Sequence, residues 1–236
     1  SVVLLFYSIM EVVYEDNHII VVNKTASEIV QGDKTGDVPL SDMVKQYLKE
    51  KYQKPGNVFV GVTHRLDRPV SGLVIFAKTS KALSRLNEMF KDGEIKKTYW
   101  AIVKECPKQE EAELTHYLVR NEKQNKSYAY AEEVKNSKKA VLHYKLIARS
   151  DNYYLLEVDL KTGRHHQIRV QFASRGLGLY GDTKYNPAFQ KTKKKYTEIG
   201  LYSTRLSFLH PVTGERMTFK TEPCGEAFEK MDVEAF

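Results

Sequence analysis

The sequence predicts an α+β fold built on a largely antiparallel sheet. Short apolar runs bounded by turn residues recur along the chain, and their β-branched and aromatic content reads as strands. The few helical patterns between them do not alternate with the strands one for one, as a parallel βαβ arrangement would require. The 236 residues, 42% apolar and 28% charged, can bury a sizeable core without staples.

The opening run Ser1–Met10 is apolar but about half the length of a bilayer span of roughly 20 residues. It lacks a basic leading segment and a small-residue cleavage site, so it reads as a strand or an ordered arm. Strands are expected at Ile19–Asn23, Leu73–Ala77, Tyr99–Val103, Val141–Ala148, Tyr153–Leu160 and Arg205–Leu209. In Ser41–Tyr52 the apolar Met43, Val44, Tyr47 and Leu48 share one helical face. Leu83, Leu86, Met89 and Phe90 do the same in Ser80–Asp92, where Thr79 or Ser80 can cap the start and Gly93 the end. A third helix is expected from near His166 to Gly176. No repeat and no low-complexity linker interrupts the chain. The mixed-sign stretch Glu110–Lys139 reads as a two-stranded excursion or a loop, and Lys191–Lys195 as a solvated loop or a phosphate contact.

The net charge of +7 favours a polyanionic partner, although a basic protein without one has the same composition. Cys106 and Cys224 are the only cysteines, which excludes a disulfide framework and a thiolate metal site and points to a reducing compartment.

Three segments carry chemistry. In His64-Arg65-Leu66-Asp67-Arg68-Pro69-Val70-Ser71-Gly72, four polar or charged positions run into a buried strand. A carboxylate between Arg65 and Arg68 stays ionised, which suits a nucleophile or base. An ion-paired loop before a core strand fits the same residues. The second segment is Thr162-Gly163-Arg164-His165-His166-Gln167-Ile168-Arg169. Its Thr-Gly turn before a helix offers backbone N–H groups to an anion. Ile168 and Phe172 should face the core, leaving Arg169 to meet a neighbouring carboxylate. His165 and His166 should diverge on a helix and lack companion ligands, so hydrogen bonding is favoured over metal. The third is Lys96-Lys97-Thr98-Tyr99-Trp100, where basic residues lead into an aromatic strand. Tyr99 can stack on a base or pack in the core as an edge-strand residue.

His64-Arg-Leu-Asp-Arg-Pro-x-Ser-Gly-Leu73, followed by Ala77-Lys78, resembles the signature of the RluA-like RNA pseudouridine synthases. Gly163-Arg-x-His-Gln-Ile-Arg169 with Gly176 and Gly181-Asp182 resembles a second block of that family. Lys97-Thr98-Tyr99-x-Ala101 resembles a third. Val13–Asp16 with Val21–Lys24, and His210-Pro-x-Thr-Gly-Glu215, resemble its first and last blocks. The likeness runs in the family's order from about Val12 to about Thr221. Two departures concern loop shape and substrate choice. Thr25-Ala26-Ser27 stands where the family usually has Pro-Ala-Gly, and Leu201-Tyr202-Ser203 where it has Leu-His-Ala.

The resemblance implies a pseudouridine synthase fold, with a mostly antiparallel mixed sheet in two lobes, flanking helices and a cleft between the lobes. It implies one catalytic domain over 1–236. His64 has 63 residues before it, too few for an S4-like RNA-binding domain beside the first block. The implied reaction turns specific uridines in ribosomal or transfer RNA stem-loops into pseudouridine by base flipping. Asp67 is the implied catalytic carboxylate, paired with Arg169. Tyr99 is placed against the uracil and Arg65 in the stack vacated by the flipped nucleotide. His64, Arg68, Arg164, His166, Gln167, Ile168 and Lys184 are placed on the RNA. Attack by Asp67 at C1′, addition at C6 and abstraction of the 2′ proton all stay open. No cofactor or metal is implied, and the expected protein is a cytoplasmic monomer without a membrane or obligate protein partner. A hydrolase with paired carboxylates would need Asp159 or Asp182 as its second acid. An RNA-binding module would need none.

Overall fold

The computed structural model describes residues 10–193 and 198–231. The Ser1–Met10 arm lies outside the described residues except for Met10, and so does part of the Lys191–Lys195 run. Among the described residues the chain forms eleven strands and four helices. They belong to two compact units. The first runs to Ile95 and adds Arg205–Thr221. The second comprises Lys96–Thr204 and the residues from Glu222 on.

In the first unit, β1 (Glu11–Glu15), β2 (Ile19–Lys24) and β4 (Ser71–Ala77) pair antiparallel in that order. The short β3 (Gly61–Val62) pairs with the end of β4. All seven residues of β4 are buried, which explains its unbroken apolar sequence. Helix α1 (Leu40–Lys51) buries Leu40, Val44 and Leu48. Helix α2 (Ser80–Lys91) packs Ala82 and Leu86 onto Ile19, Val21, Leu73 and Ile75. The Thr79 side chain accepts the Ala82 N–H. At the other end Gly93 (φ 71°) and Glu94 donate to the carbonyls of Phe90 and Met89, a glycine-terminated closure.

The same core takes Leu206 and Phe208 from the second half of β10 (Leu201–Leu209) and Phe219 from β11 (Arg216–Lys220). The β10–β11 hairpin turns through His210–Glu215, and His210 Nε2 bonds Asp16 at 2.7 Å. Thus the first and last blocks of the sequence meet in this unit.

The second unit is an antiparallel sheet with strand order β5 (Lys96–Val103), β9 (Tyr154–Leu160), β8 (Lys138–Arg149), β6 (Glu111–Asn121) and β7 (Lys126–Tyr130). The charged stretch before Lys139 is therefore a hairpin. Burial alternates along β6 and β8, as it does when one sheet face is covered and the other wet. Helix α3 (Gln167–Ser174) covers that face, with Val170 against Leu118 and Ala140 and Phe172 against Tyr144. Helix α4 (Glu226–Glu229) adds Ala227 and Phe228 beside Tyr202, so the Tyr202 departure fills a core position.

Replacing Thr79 by Ala removes one of the four N–H partners that a helix start must find. It should cost about 1 kcal/mol and lower the melting temperature by roughly 2–4 °C, read by calorimetry.

Candidate active site

In the first unit the Asp67 segment is a turn between β3 and β4, closed by the Val70 N–H donating to the Asp67 carbonyl. Three side chains hold it. The Lys24 ammonium, 1% exposed at the end of β2, donates to the carbonyls of Thr25, Arg68 and Val70 at 3.1, 3.0 and 2.5 Å and reaches that of Asp67 at 3.4 Å. It gathers four carbonyl dipoles around one charge, which fixes the turn's backbone. Burial pushes the Lys24 ammonium down to about 7. The carboxylates of Glu28 and Asp67 pull it back up, and Arg68 adds to the depression.

Arg68 points into the 27–37 loop. It donates to the Ser27 carbonyl (3.2 Å), Asp37 (2.9 Å), Asp33 (3.2 Å) and Thr35 (3.1 Å). Its own carbonyl accepts the Ser27 N–H at 2.9 Å. Ser27 sits at φ 73°, the left-handed region that favours glycine, at the position where the resemblance expects glycine. Arg68 holds that conformation from both sides.

His64 turns inward. Its Nε2 accepts the Ile75 N–H at 3.0 Å, which requires a lone pair on that nitrogen, and its ring stacks on Phe90 at 4.7 Å. Asp67 itself is half-buried, and Arg65 is exposed.

In the second unit Arg169, 5% exposed, makes a two-pronged contact with Asp182. Nε donates to Oδ2 and Nη2 to Oδ1, both at 2.8 Å. Asp182 is fully buried and also accepts the N–H groups of Lys184 and Tyr185 at 3.0 and 3.2 Å. The Arg169 guanidinium lies 5.2 Å from the centre of the Tyr185 ring. The positive φ of Gly181 (76°) brings its backbone against the Glu198 carbonyl, only 2.5 Å from where a Cβ would stand. A side chain at this position would displace the loop that presents Asp182.

The turn ahead of α3 differs from the sequence reading in two ways. Gln167 Oε1 accepts the Arg164 N–H (3.0 Å) and the Thr162 hydroxyl (2.7 Å), while its amide donates to Val141 (3.1 Å). The Arg164 N–H thus serves the turn instead of waiting for an anion. The two histidines do not diverge: they precede the helix, His166 has φ 54°, and their rings stack at 3.6 Å. His166 Nδ1 bonds the Tyr185 hydroxyl at 2.6 Å, and His165 bonds Ser127 and Asn125 at 2.7 and 3.1 Å. Among the described residues no group of three or more His, Cys, Asp or Glu is arranged to hold a metal ion.

Tyr99 is 7% exposed and faces Val158 on β9. Because β5 pairs with β9 along its length, Tyr99 is not on a free edge. Ile168 is 5% exposed. Arg164 is exposed and donates to the Lys139 carbonyl at 2.9 Å; Lys184 donates to that of Asn125 at 2.7 Å. Sequence reasoning missed Lys24 and Tyr185 as site residues and weighed Asp182 only as a rival acid. With four donors on it, Asp182 serves Arg169. Asp159 accepts from Thr98 at 3.3 Å and lies 3.8 Å from His143.

The two units define an α+β protein whose Asp67 turn and Arg169 helix are each pinned by a buried ion. A family model for RNA pseudouridylate synthase matches residues 18–174. The ribosomal large subunit pseudouridine synthase D of Zymomonas mobilis is 32% identical over 224 residues, spanning 90% of this chain and 69% of that protein. The tRNA pseudouridine synthase C of Vibrio parahaemolyticus is 31% identical over 227 residues, spanning 89% of each. The human RNA pseudouridylate synthase domain containing 4 superposes with a TM-score of 0.76 at 19% identity, over 93% of this chain and 92% of that one, and so shares the fold. The chain belongs to the RNA pseudouridine synthases, in their RluA-like family.

Two measurements test the pinning. Between pH 7 and the ordinary lysine value the unfolded chain holds a proton that folded Lys24 has shed, so stability rises with pH there; below 7 both states are protonated and the burial cost is complete. Urea midpoints of the wild type should climb from pH 7 to 10 relative to Lys24→Met, and a constant difference would refute the depressed ammonium. Asp182→Asn should lose roughly 3–5 kcal/mol by leaving the Arg169 charge buried with a weakened partner, whereas Arg169→Met with Asp182→Leu should cost less than that single change.

Proposed function

We propose that the protein converts specific uridines in ribosomal or transfer RNA stem-loops into pseudouridine, with Asp67 as the catalytic carboxylate. The observation that carries this is the Asp67 turn. A buried ammonium and a four-fold bonded guanidinium fix its backbone, and Asp67 is left half-buried beside an exposed Arg65. A carboxylate on a fixed turn near an exposed cation suits a reaction on a nucleotide taken out of its stack.

In this reading Arg65 enters the vacated stack, because a guanidinium can both stack and donate hydrogen bonds. Asp67 meets the sugar and base as the C1′–N1 bond breaks. The uracil turns, C5 bonds to C1′, the C5 hydrogen leaves as a proton, and N1 takes up a proton in place of its broken bond. Tyr99 and Ile168 bound the uracil, and Arg169, oriented by Asp182, is the cation that the family resemblance pairs with Asp67. Arg164, His166 and Lys184 line the RNA path. Arg68, His64 and Gln167 act through the backbone they hold. The protein works as a monomer in the cytoplasm, with no cofactor and no protein partner. No helix among the described residues is long and apolar enough to cross a membrane.

The test is release of tritium to water from RNA labelled at uracil C5. Wild-type protein should release it. Asp67→Asn should bind RNA with unchanged affinity and release only background, since the amide keeps the shape and loses the charge. Arg169→Ala should fall by at least about a hundredfold. Full turnover by Asp67→Asn would refute the assignment. Wild-type binding with no release from ribosomal or transfer RNA would mark an RNA-binding module.

A further inference from the structure

The β6–β7 hairpin has two unlike faces. Residues directly opposite each other across paired strands share a face. Leu118 lies opposite Ala129, and both pack with Val170 and Tyr185 under α3. The other face presents Tyr117 opposite Tyr130 and Val119 opposite Tyr128. Tyr128 and Tyr130 are 39% and 43% exposed, among the few large apolar side chains that the fold leaves in solvent. Standing two residues apart on one strand, they offer rings roughly 7 Å apart. Exposed Lys139 stands across from Tyr117, and the Lys126 ammonium lies 5.5 Å over the Tyr128 ring.

The tip of this hairpin is latched to the Arg164–His166 turn. Asn125 Oδ1 bonds His165, the Asn125 carbonyl accepts from Lys184, and Ser127 bonds both His165 and the Tyr185 hydroxyl. Tyr185 in turn carries His166 on its hydroxyl and Arg169 over its ring. An extended strand leaving the Arg164 turn would therefore cross Lys126 and reach the tyrosines.

We propose that the outer face of the β6–β7 hairpin, through Tyr128 and Tyr130, is a second RNA contact that stacks two unpaired nucleotides flanking the target uridine. The inference rests on the proposed function for the position of that uridine. Exposed rings bordered by lysines match the chemistry of single-strand binding, in which each base lies on an aromatic face and the cations follow the phosphates. The net charge of +7 favours this polyanion over a second copy of the chain.

The test uses a fluorescein-labelled 12-nucleotide uridine RNA and fluorescence anisotropy, with sedimentation velocity on the same samples. Tyr128→Ala and Tyr130→Ala should each weaken binding roughly five- to hundredfold. Tyr128→Phe with Tyr130→Phe, which keeps both rings, should stay within about twofold. In tritium release, the double alanine variant should need a higher half-saturating RNA concentration and keep its rate at saturation. Affinity within twofold for the double alanine variant would overturn the proposal. So would a self-associated wild type that the alanine changes convert to monomer, or an equal loss of melting temperature and maximal rate. Wild-type protein that shows the binding pattern but releases no tritium would refute the enzyme reading and leave this surface standing.

Discussion

One buried ammonium governs the shape of the Asp67 turn. A lysine among core residues is expensive unless its donors are used, and Lys24 uses them on carbonyls of two loops that are over forty residues apart in sequence. Those carbonyls would otherwise repel one another and splay the turn. Their convergence on Nζ makes the turn a single rigid piece. Arg68 then extends that rigidity outward to the 27–37 loop, where the left-handed Ser27 is kept in place despite its side chain.

The second unit solves the same problem with a closed pair. Asp182 satisfies two prongs of Arg169, and the backbone of residues 184 and 185 completes the carboxylate. Because breaking such a pair costs more than never having it, its value lies in orientation and not in stability. The aromatic ring of Tyr185, lying under the guanidinium, limits how that group can turn. Each of these two segments is therefore preorganised within its own unit.

The strands were legible because burial writes itself into sequence as runs and alternations. The apolar Leu73–Ala77 run became the fully buried β4, and Thr79 and Gly93 marked both ends of α2. The roles proposed for Asp67 and Arg169 rest on the resemblance of the surrounding residues to a known family. What stayed hidden depends on partners distant along the chain. Nothing near His64 announces that Ile75 will donate to its ring, and nothing near Arg68 selects Asp33 and Asp37 over RNA phosphate. Asp182 and Tyr185 lie in a stretch without periodic structure, so no face could be assigned to them. Lys24 ends an apolar strand, and a single charge there looks like the edge of the core, although it is inside it.

The first unit is assembled from both ends of the sequence, and this bears on its birth at the ribosome. Leu73, Ile75 and Ala77 leave the exit tunnel long before Leu206, Phe208 and Phe219, which complete the same core. During the interval, at 5–20 residues per second or so, the core between this sheet and α2 stays incomplete for roughly 6–30 s. The second unit is also completed late, because Ala227, Phe228 and Met231 join its core only after Thr221 has emerged. The nascent chain is thus most exposed to chaperones and to misassociation while its β4 strand is already made and its last hairpin is not.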